Sequence, residues 1–137
     1  SLDLPHPEDS HRQPPGGRET VLIVDDESSI LKIARRMLGA LGYTVLSAAG
    51  PSEALEVASS HKGPIHLLLT DVVMPEMSGR DLVPRIQAVQ PGIRVLYMSG
   101  YSQHILSNLV VLEAGLPLIS KPFSFRELAE KIREVLA

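Results

Sequence analysis

Asp25 and Asp26 close an apolar run, Val21 to Val24, and Asp71 closes a second, Leu67 to Thr70. Lys121 follows a third, shorter run, Leu116 to Ile119, and immediately precedes Pro122. If these runs are neighbouring parallel strands, three carboxylates and one ammonium meet at a single edge of one sheet. Like charges at that range are costly unless a cation neutralises them. The chemistry such a cluster offers is a divalent metal site beside an aspartate that can accept a phosphoryl group.

The elements that must position these groups are legible as an alternation. Strands are predicted over Thr20–Asp25, Thr44–Ala48, His66–Asp71, Arg94–Ser99 and Leu116–Ser120. Most are continuous apolar runs, as expected of strands buried on both faces, and the segment around Thr44–Ala48 is mixed enough to be an edge. Helices are predicted between them. Ser28–Leu41 repeats Ile30, Ala34, Met37, Leu38 and Leu41 at helical spacing. Pro51–Ser59 opens on a first-turn proline. Ser78–Val89 pairs Ser78 with Asp81 at capping-box spacing, Ser102–Leu112 is the weakest pattern, and Ser124–Leu136 carries the full box, Ser124 with Glu127. Gly42, Gly92 and Gly115 fall where helices should end. Pro84 conflicts with its own helix and predicts a kink or a later start. Five strands alternating with five helices give a doubly wound α/β sandwich, with its site outside the carboxyl ends of the strands, where Asp25, Asp26, Asp71 and Lys121 fall.

Bulk properties bound the rest. The chain has 137 residues, enough for one domain of ordinary size. Aromatics are scarce, so the core is built from Leu, Ile, Val and Ala. A formal net charge of −3 gives no general attraction to nucleic acid. No cysteine is present, which removes disulfides and thiolate chemistry and fits a reducing compartment. No apolar stretch is long enough to span a bilayer, so neither nucleic-acid nor membrane contact is expected of this chain. Residues 1–18, with Pro5, Pro7, Pro14, Pro15, Gly16 and Gly17, have almost nothing to bury and are expected to be a flexible linker or tail. Residues 19–137 form the expected domain. The five histidines (His6, His11, His61, His66 and His104) show no metal-ligand spacing.

The wording of four segments is more specific. Val21-Leu22-Ile23-Val24-Asp25-Asp26-Glu27, then Leu67 through Pro75 with Met77-Ser78-Gly79, then Met98-Ser99-Gly100, then Lys121-Pro122-Phe123 resemble the response-regulator receiver domains of two-component signalling. The resemblance covers residues 20–137 and is most like the carboxy-terminal receiver of a hybrid sensor histidine kinase. It implies the flavodoxin-like strand order 2-1-3-4-5. It implies that Asp71 is the phosphoacceptor, with Lys121 and Ser99 contacting the phosphoryl oxygens and a cis peptide before Pro122 aiming the lysine inward. Mg²⁺ would be held by Asp25, Asp26, Asp71 and the backbone carbonyl of Val73. It implies a phosphohistidine donor on a histidine kinase or histidine phosphotransfer domain, with self-association left open. The domain would be a cytoplasmic switch that assists its own chemistry rather than an enzyme, reached through the linker as the end module of a longer protein.

The sequence also departs from the family's pattern. Leu118 stands three residues before the lysine, where receivers commonly carry Tyr or Phe. A smaller or different rearrangement is therefore expected across the fourth and fifth predicted helices and the fifth strand. Val73 and Tyr101, each two residues beyond a site residue, are not ready acids or bases for water, and Tyr101 could shield an acyl phosphate. Ile30 is either an exposed anchor for a partner helix or a core residue, and helical phase leaves both open. Glu27 is given no chemistry. Two other function classes use similar groups. A Mg²⁺-dependent aspartyl phosphohydrolase would place an Asp-x-Asp pair at the first strand, which Asp25-Asp26 does not match. A degenerate receiver would have lost one of the five residues. A dinucleotide-binding domain would need Gly-x-Gly-x-x-Gly after the first strand, which is missing.

Overall fold

A computed structural model describes residues 14–100, 110–111 and 113–137. Five strands form one parallel sheet: β1 (Thr20–Val24), β2 (Thr44–Ala48), β3 (Leu67–Asp71), β4 (Arg94–Ser99) and β5 (Leu118–Ser120). Their order is β2-β1-β3-β4-β5, so the chain crosses from one side of β1 to the other on reaching β3. Among the described residues three helices lie between strands, α1 (Ser28–Ala40), α2 (Pro51–Ser60) and α3 (Gly79–Val89), and α4 (Phe125–Leu136) follows β5. The fourth predicted helix, Ser102–Leu112, lies mostly outside the described residues, although Val110, Val111 and Glu113 are helical.

The central strands are buried on both faces because their middles are apolar without alternation: Val21–Val24, Leu67–Leu69 and Val95–Met98. Val21, Ile23, Leu67, Leu69, Leu96 and Met98 face one layer and pack on α1 and α4 through Ala34, Leu38, Leu128, Ala129 and Ile132. Leu22, Val24, Leu68 and Tyr97 face the other and pack on α2 and α3 through Ala54, Ala58, Leu82, Val83 and Ile86. Truncating one of these fully buried leucines, such as Leu69, is expected to cost about 2–5 kcal/mol.

The ends of the elements follow local chemistry. α4 has the complete capping box: Ser124 Oγ accepts from the Glu127 amide at 3.0 Å, and Glu127 Oε1 accepts from the Ser124 amide at 2.8 Å. At α3 only half forms, with Ser78 Oγ accepting from the Asp81 amide at 3.2 Å. Gly42 (φ +99°) and Gly115 (φ +71°) take the left-handed conformation expected just past a helix end, while Gly92 does not join them. Pro84 does not delay α3, which starts at Gly79 and runs through it. Its ring lies on the exposed side of the helix, so the Arg80 carbonyl left without its partner can face water, while Leu82, Val83 and Ile86 keep the inner face anchored. β5 begins at Leu118 rather than Leu116. The Pro117 carbonyl still accepts from the Tyr97 amide at 3.0 Å, but proline has no N–H with which to extend the ladder.

Candidate functional site

Parallel register brings the site residues to one edge. Val24 pairs with Thr70, Asp71 with Met98, and Ser99 with Ser120. One residue past these pairs, the chain delivers Asp25, Asp71, Ser99 and Lys121 side by side. Asp25 is fully buried, and Asp71, Ser99 and Lys121 are each less than one-tenth exposed. Asp26 is exposed at the rim. The Lys121–Pro122 peptide is cis, and the Lys121 amide donates to the Ser99 carbonyl at 2.9 Å.

Lys121 Nζ is the hub. It lies 3.0 Å from Asp25 Oδ2, 3.4 Å from Asp71 Oδ2 and 3.5 Å from Glu27 Oε1. Burial pulls its pKa down, but the hydrogen bond it donates to Asp25 and the charges of Asp71, Asp25 and Glu27 outweigh that, and the ammonium sits above its ordinary value. Burial pushes Asp25 up, against the Glu27 amide that donates to its Oδ1 at 2.9 Å and against Lys121. Burial pushes Asp71 up to about 6, with Lys121 opposing and Asp25 adding to the rise. One buried ammonium is thus too little countercharge for the carboxylates around it.

The acidic cluster fits a hard divalent cation. Asp25, Asp26 and Asp71 each offer a carboxylate oxygen, and these oxygens lie within 4.8 Å of one another. The donors are all oxygen, and the exposed Asp26 leaves a side open to water, which suits an ion that keeps part of its hydration. Val73 lies two residues past Asp71 in the loop leading to α3, and its backbone amide works to lower the Asp71 pKa. That loop returns tightly: the Gly79 amide donates to the Val72 carbonyl at 2.7 Å, and a Cβ on Gly79 would stand 2.3 Å from the Asp71 carbonyl oxygen. Gly79 is therefore required where α3 leaves the site, a reason that its motif alone did not reveal.

The Ser99 hydroxyl donates to Ser120 Oγ at 3.4 Å, across to β5. Leu118 is half-buried, pairs with Tyr97 and packs on the α2–α3 layer. Ile30 is partly buried against the α1–α4 layer, which favours the core reading over the exposed anchor. Glu27, given no chemistry from sequence, reaches Lys121; the signal was available in its place as the third acid of the run that follows β1. Tyr101 lies outside the described residues, as do His6, His11 and His104. His66 sits at the opposite edge of the sheet, where its Nδ1 accepts from the Thr20 amide at 2.9 Å. No helix among the described residues is long and apolar enough to cross a membrane.

A doubly wound sheet with a lysine-bound cluster of acids at its carboxyl edge defines a phosphoacceptor switch of the receiver type. The chain belongs to the response regulator receiver domain family, which matches residues 21–133. It is a receiver domain of two-component signalling. It is 36% identical over 120 residues to the sensor kinase CckA of Brucella abortus (strain 2308), an alignment that covers 88% of this chain and 13% of the kinase. The crystal structure of the receiver domain from the hybrid histidine kinase CckA superposes with a TM-score of 0.71 at 31% identity, covering 86% of this chain and 99% of that one. A response regulator from Burkholderia pseudomallei, crystallised with a phosphorylated aspartic acid, calcium ion and citrate, superposes with a TM-score of 0.69 at 25% identity, covering 87% of this chain and 66% of that one. The chain spans 24% to 50% of the length of several other curated relatives, transcriptional regulators among them.

Proposed function

We propose that Asp71 is the residue that carries the phosphoryl group. The observation that carries this reading is a nearly buried carboxylate held 3.4 Å from the Lys121 ammonium, inside a cluster of acids with excess negative charge. In the step proposed, an Asp71 carboxylate oxygen attacks phosphorus. The phosphorus–nitrogen bond of a phosphohistidine breaks, the imidazole leaves with its electron pair, and an acyl phosphate forms on Asp71. Asp71 must be ionised to attack, so a divalent cation or Lys121 that holds it deprotonated also prepares it. Lys121 stays beside the new phosphoryl oxygens as a point charge. Ser99, one strand over, turns from Ser120 to donate to a phosphoryl oxygen. Asp25, Asp26, Asp71 and the Val73 carbonyl would hold Mg²⁺, which supplies countercharge to the transferring group. Positioning and electrostatics then account for the whole contribution of the domain, so it acts as a switch and not as a turnover enzyme.

The donor is a histidine kinase or histidine phosphotransfer domain, and the reaction belongs in the cytoplasm. Similarity to the CckA kinase over its receiver portion supports a role as the receiver of a hybrid kinase, with residues 19–137 as the receiver unit.

The test is incubation with acetyl phosphate and Mg²⁺, followed by intact mass. A single phosphate adduct that vanishes in Asp71→Asn is the expected result. An adduct that persists in Asp71→Asn, or steady turnover of many phosphate esters, contradicts the proposal.

A further inference from the structure

The edge of the sheet opposite the site holds an arrangement that a Pro/Gly-rich segment does not need. The Gly17 amide donates to the Leu41 carbonyl at 3.1 Å, just past the end of α1. A Cβ on Gly16 would stand 2.3 Å from that same carbonyl oxygen. A Cβ on Gly17 would meet Glu19 Oε1 at 2.3 Å, Arg133 Nη1 at 2.5 Å and Tyr43 Cε1 at 2.8 Å. Gly42 faces back: its φ is +99°, and a Cβ there would stand 2.6 Å from the Gly17 carbonyl oxygen. Three glycines thus interlock where no other residue fits without displacement.

Charged groups close over this seat. Arg133, on α4, donates from Nη1 to both Glu19 carboxylate oxygens at 2.8 and 3.0 Å and to the Tyr43 hydroxyl at 3.4 Å. Tyr43, the residue before β2, is itself buried. The Glu19 carbonyl accepts from the Thr44 amide at 3.1 Å, which fixes the residue bearing the carboxylate. The hydrogen bond from Arg133 lowers the Glu19 pKa, and the same bond raises that of Arg133, so both stay charged across the neutral range.

We infer that residues 16–19 are a docked arm, clasped by Arg133, that fixes the direction in which the chain leaves the amino edge of the sheet and ties it to the last helix. An unanchored linker would transmit nothing from the domain. A clasped one makes the arm follow any displacement of α4, by a route that does not pass through the phosphoacceptor. The inference does not depend on phosphorylation.

The chain has no cysteine, so paired spin labels can be placed cleanly. Labels at Pro14→Cys and Lys62→Cys in the full 137-residue chain should give a narrow distance distribution. Gly16→Val should broaden it, because its Cβ would meet the Leu41 backbone carbonyl, which cannot swing aside. Arg133→Met should broaden it too, while circular dichroism still reports the folded sheet. The Gly17 amide in the unlabelled chain should exchange at least ~10-fold more slowly than in an unstructured peptide. A broad distribution in the parent, exchange at the unstructured rate, or a distribution unmoved by Arg133→Met would each overturn the clasp.

Discussion

The two edges of the sheet are built on opposite electrostatic principles. At the amino edge, Arg133 meets Glu19 one to one, and the His66 imidazole is satisfied by the Thr20 amide. At the carboxyl edge, a single buried ammonium faces Asp25, Asp71 and Glu27, with Asp26 at the rim. The first edge is complete as it stands. The second is complete only when positive charge is added: burial raises the pKa of Asp25 and Asp71 more than Lys121 lowers it. Stability and function are therefore divided between the two ends of the same strands, and a surplus of charge, rather than its neutralisation, marks the working end.

The largest effect should come from removing the Lys121 ammonium from the working edge. Lys121→Met leaves buried carboxylates uncompensated and should destabilise the metal-free protein at neutral pH by about 3–5 kcal/mol, read by urea unfolding. Because the Lys121 pKa is raised, its contribution is fully present below the ordinary lysine value and is lost only as pH climbs through the folded-state value. A variant as stable as the parent at neutral pH would mean that the edge is not short of countercharge.

Asp71→Asn should act in the other direction. The Asp71 pKa is about 6 in the folded protein against 3.8 unperturbed, so between those values the folded state keeps a proton that the unfolded state has lost. Stability should fall as pH rises through that window and stay lowered above it. The asparagine variant should remove this slope and be more stable than the metal-free parent at pH 7, by roughly 3 kcal/mol at most. Matching pH profiles for parent and variant would show that Asp71 is not the strained group.

The amino edge should give the smallest change. Arg133→Met removes a partly exposed ion pair worth about 0.5–1 kcal/mol and weakened by salt. A loss as large as that of Lys121→Met would erase the contrast between the edges.

These edges were not equally visible in the sequence. The carboxyl edge was legible because chemistry and secondary structure coincide there: Asp71 ends β3, and Asp25 with Asp26 directly follows the end of β1. The extents of Thr44–Ala48 and Arg94–Ser99 were legible in full as well. The amino edge was hidden because its contacts are long in sequence. Arg133 lies 114 residues from Glu19, and nothing near either one announces the other. Gly16 and Gly17 read as linker because composition reports the entropy of a free chain and is silent about where a bare backbone is needed for close approach. Gly79 is visible in sequence only as part of a motif, because its cause, the Asp71 carbonyl oxygen 2.3 Å from where its Cβ would be, is a contact of the folded loop. Hydrophobicity alone extends β5 back to Leu116, whereas the missing N–H of Pro117 starts the strand at Leu118.

The most direct measurement is thermal unfolding during titration with magnesium chloride, against sodium chloride at matched ionic strength. The account predicts a saturable rise in Tm with Mg²⁺, because an ion that binds only the folded cluster stabilises it by mass action. The rise should be absent when Asp25 and Asp26 are both replaced by Asn. An equal response to both salts, or a Mg²⁺ response that survives the double replacement, would contradict a carboxyl edge built to be completed by a cation.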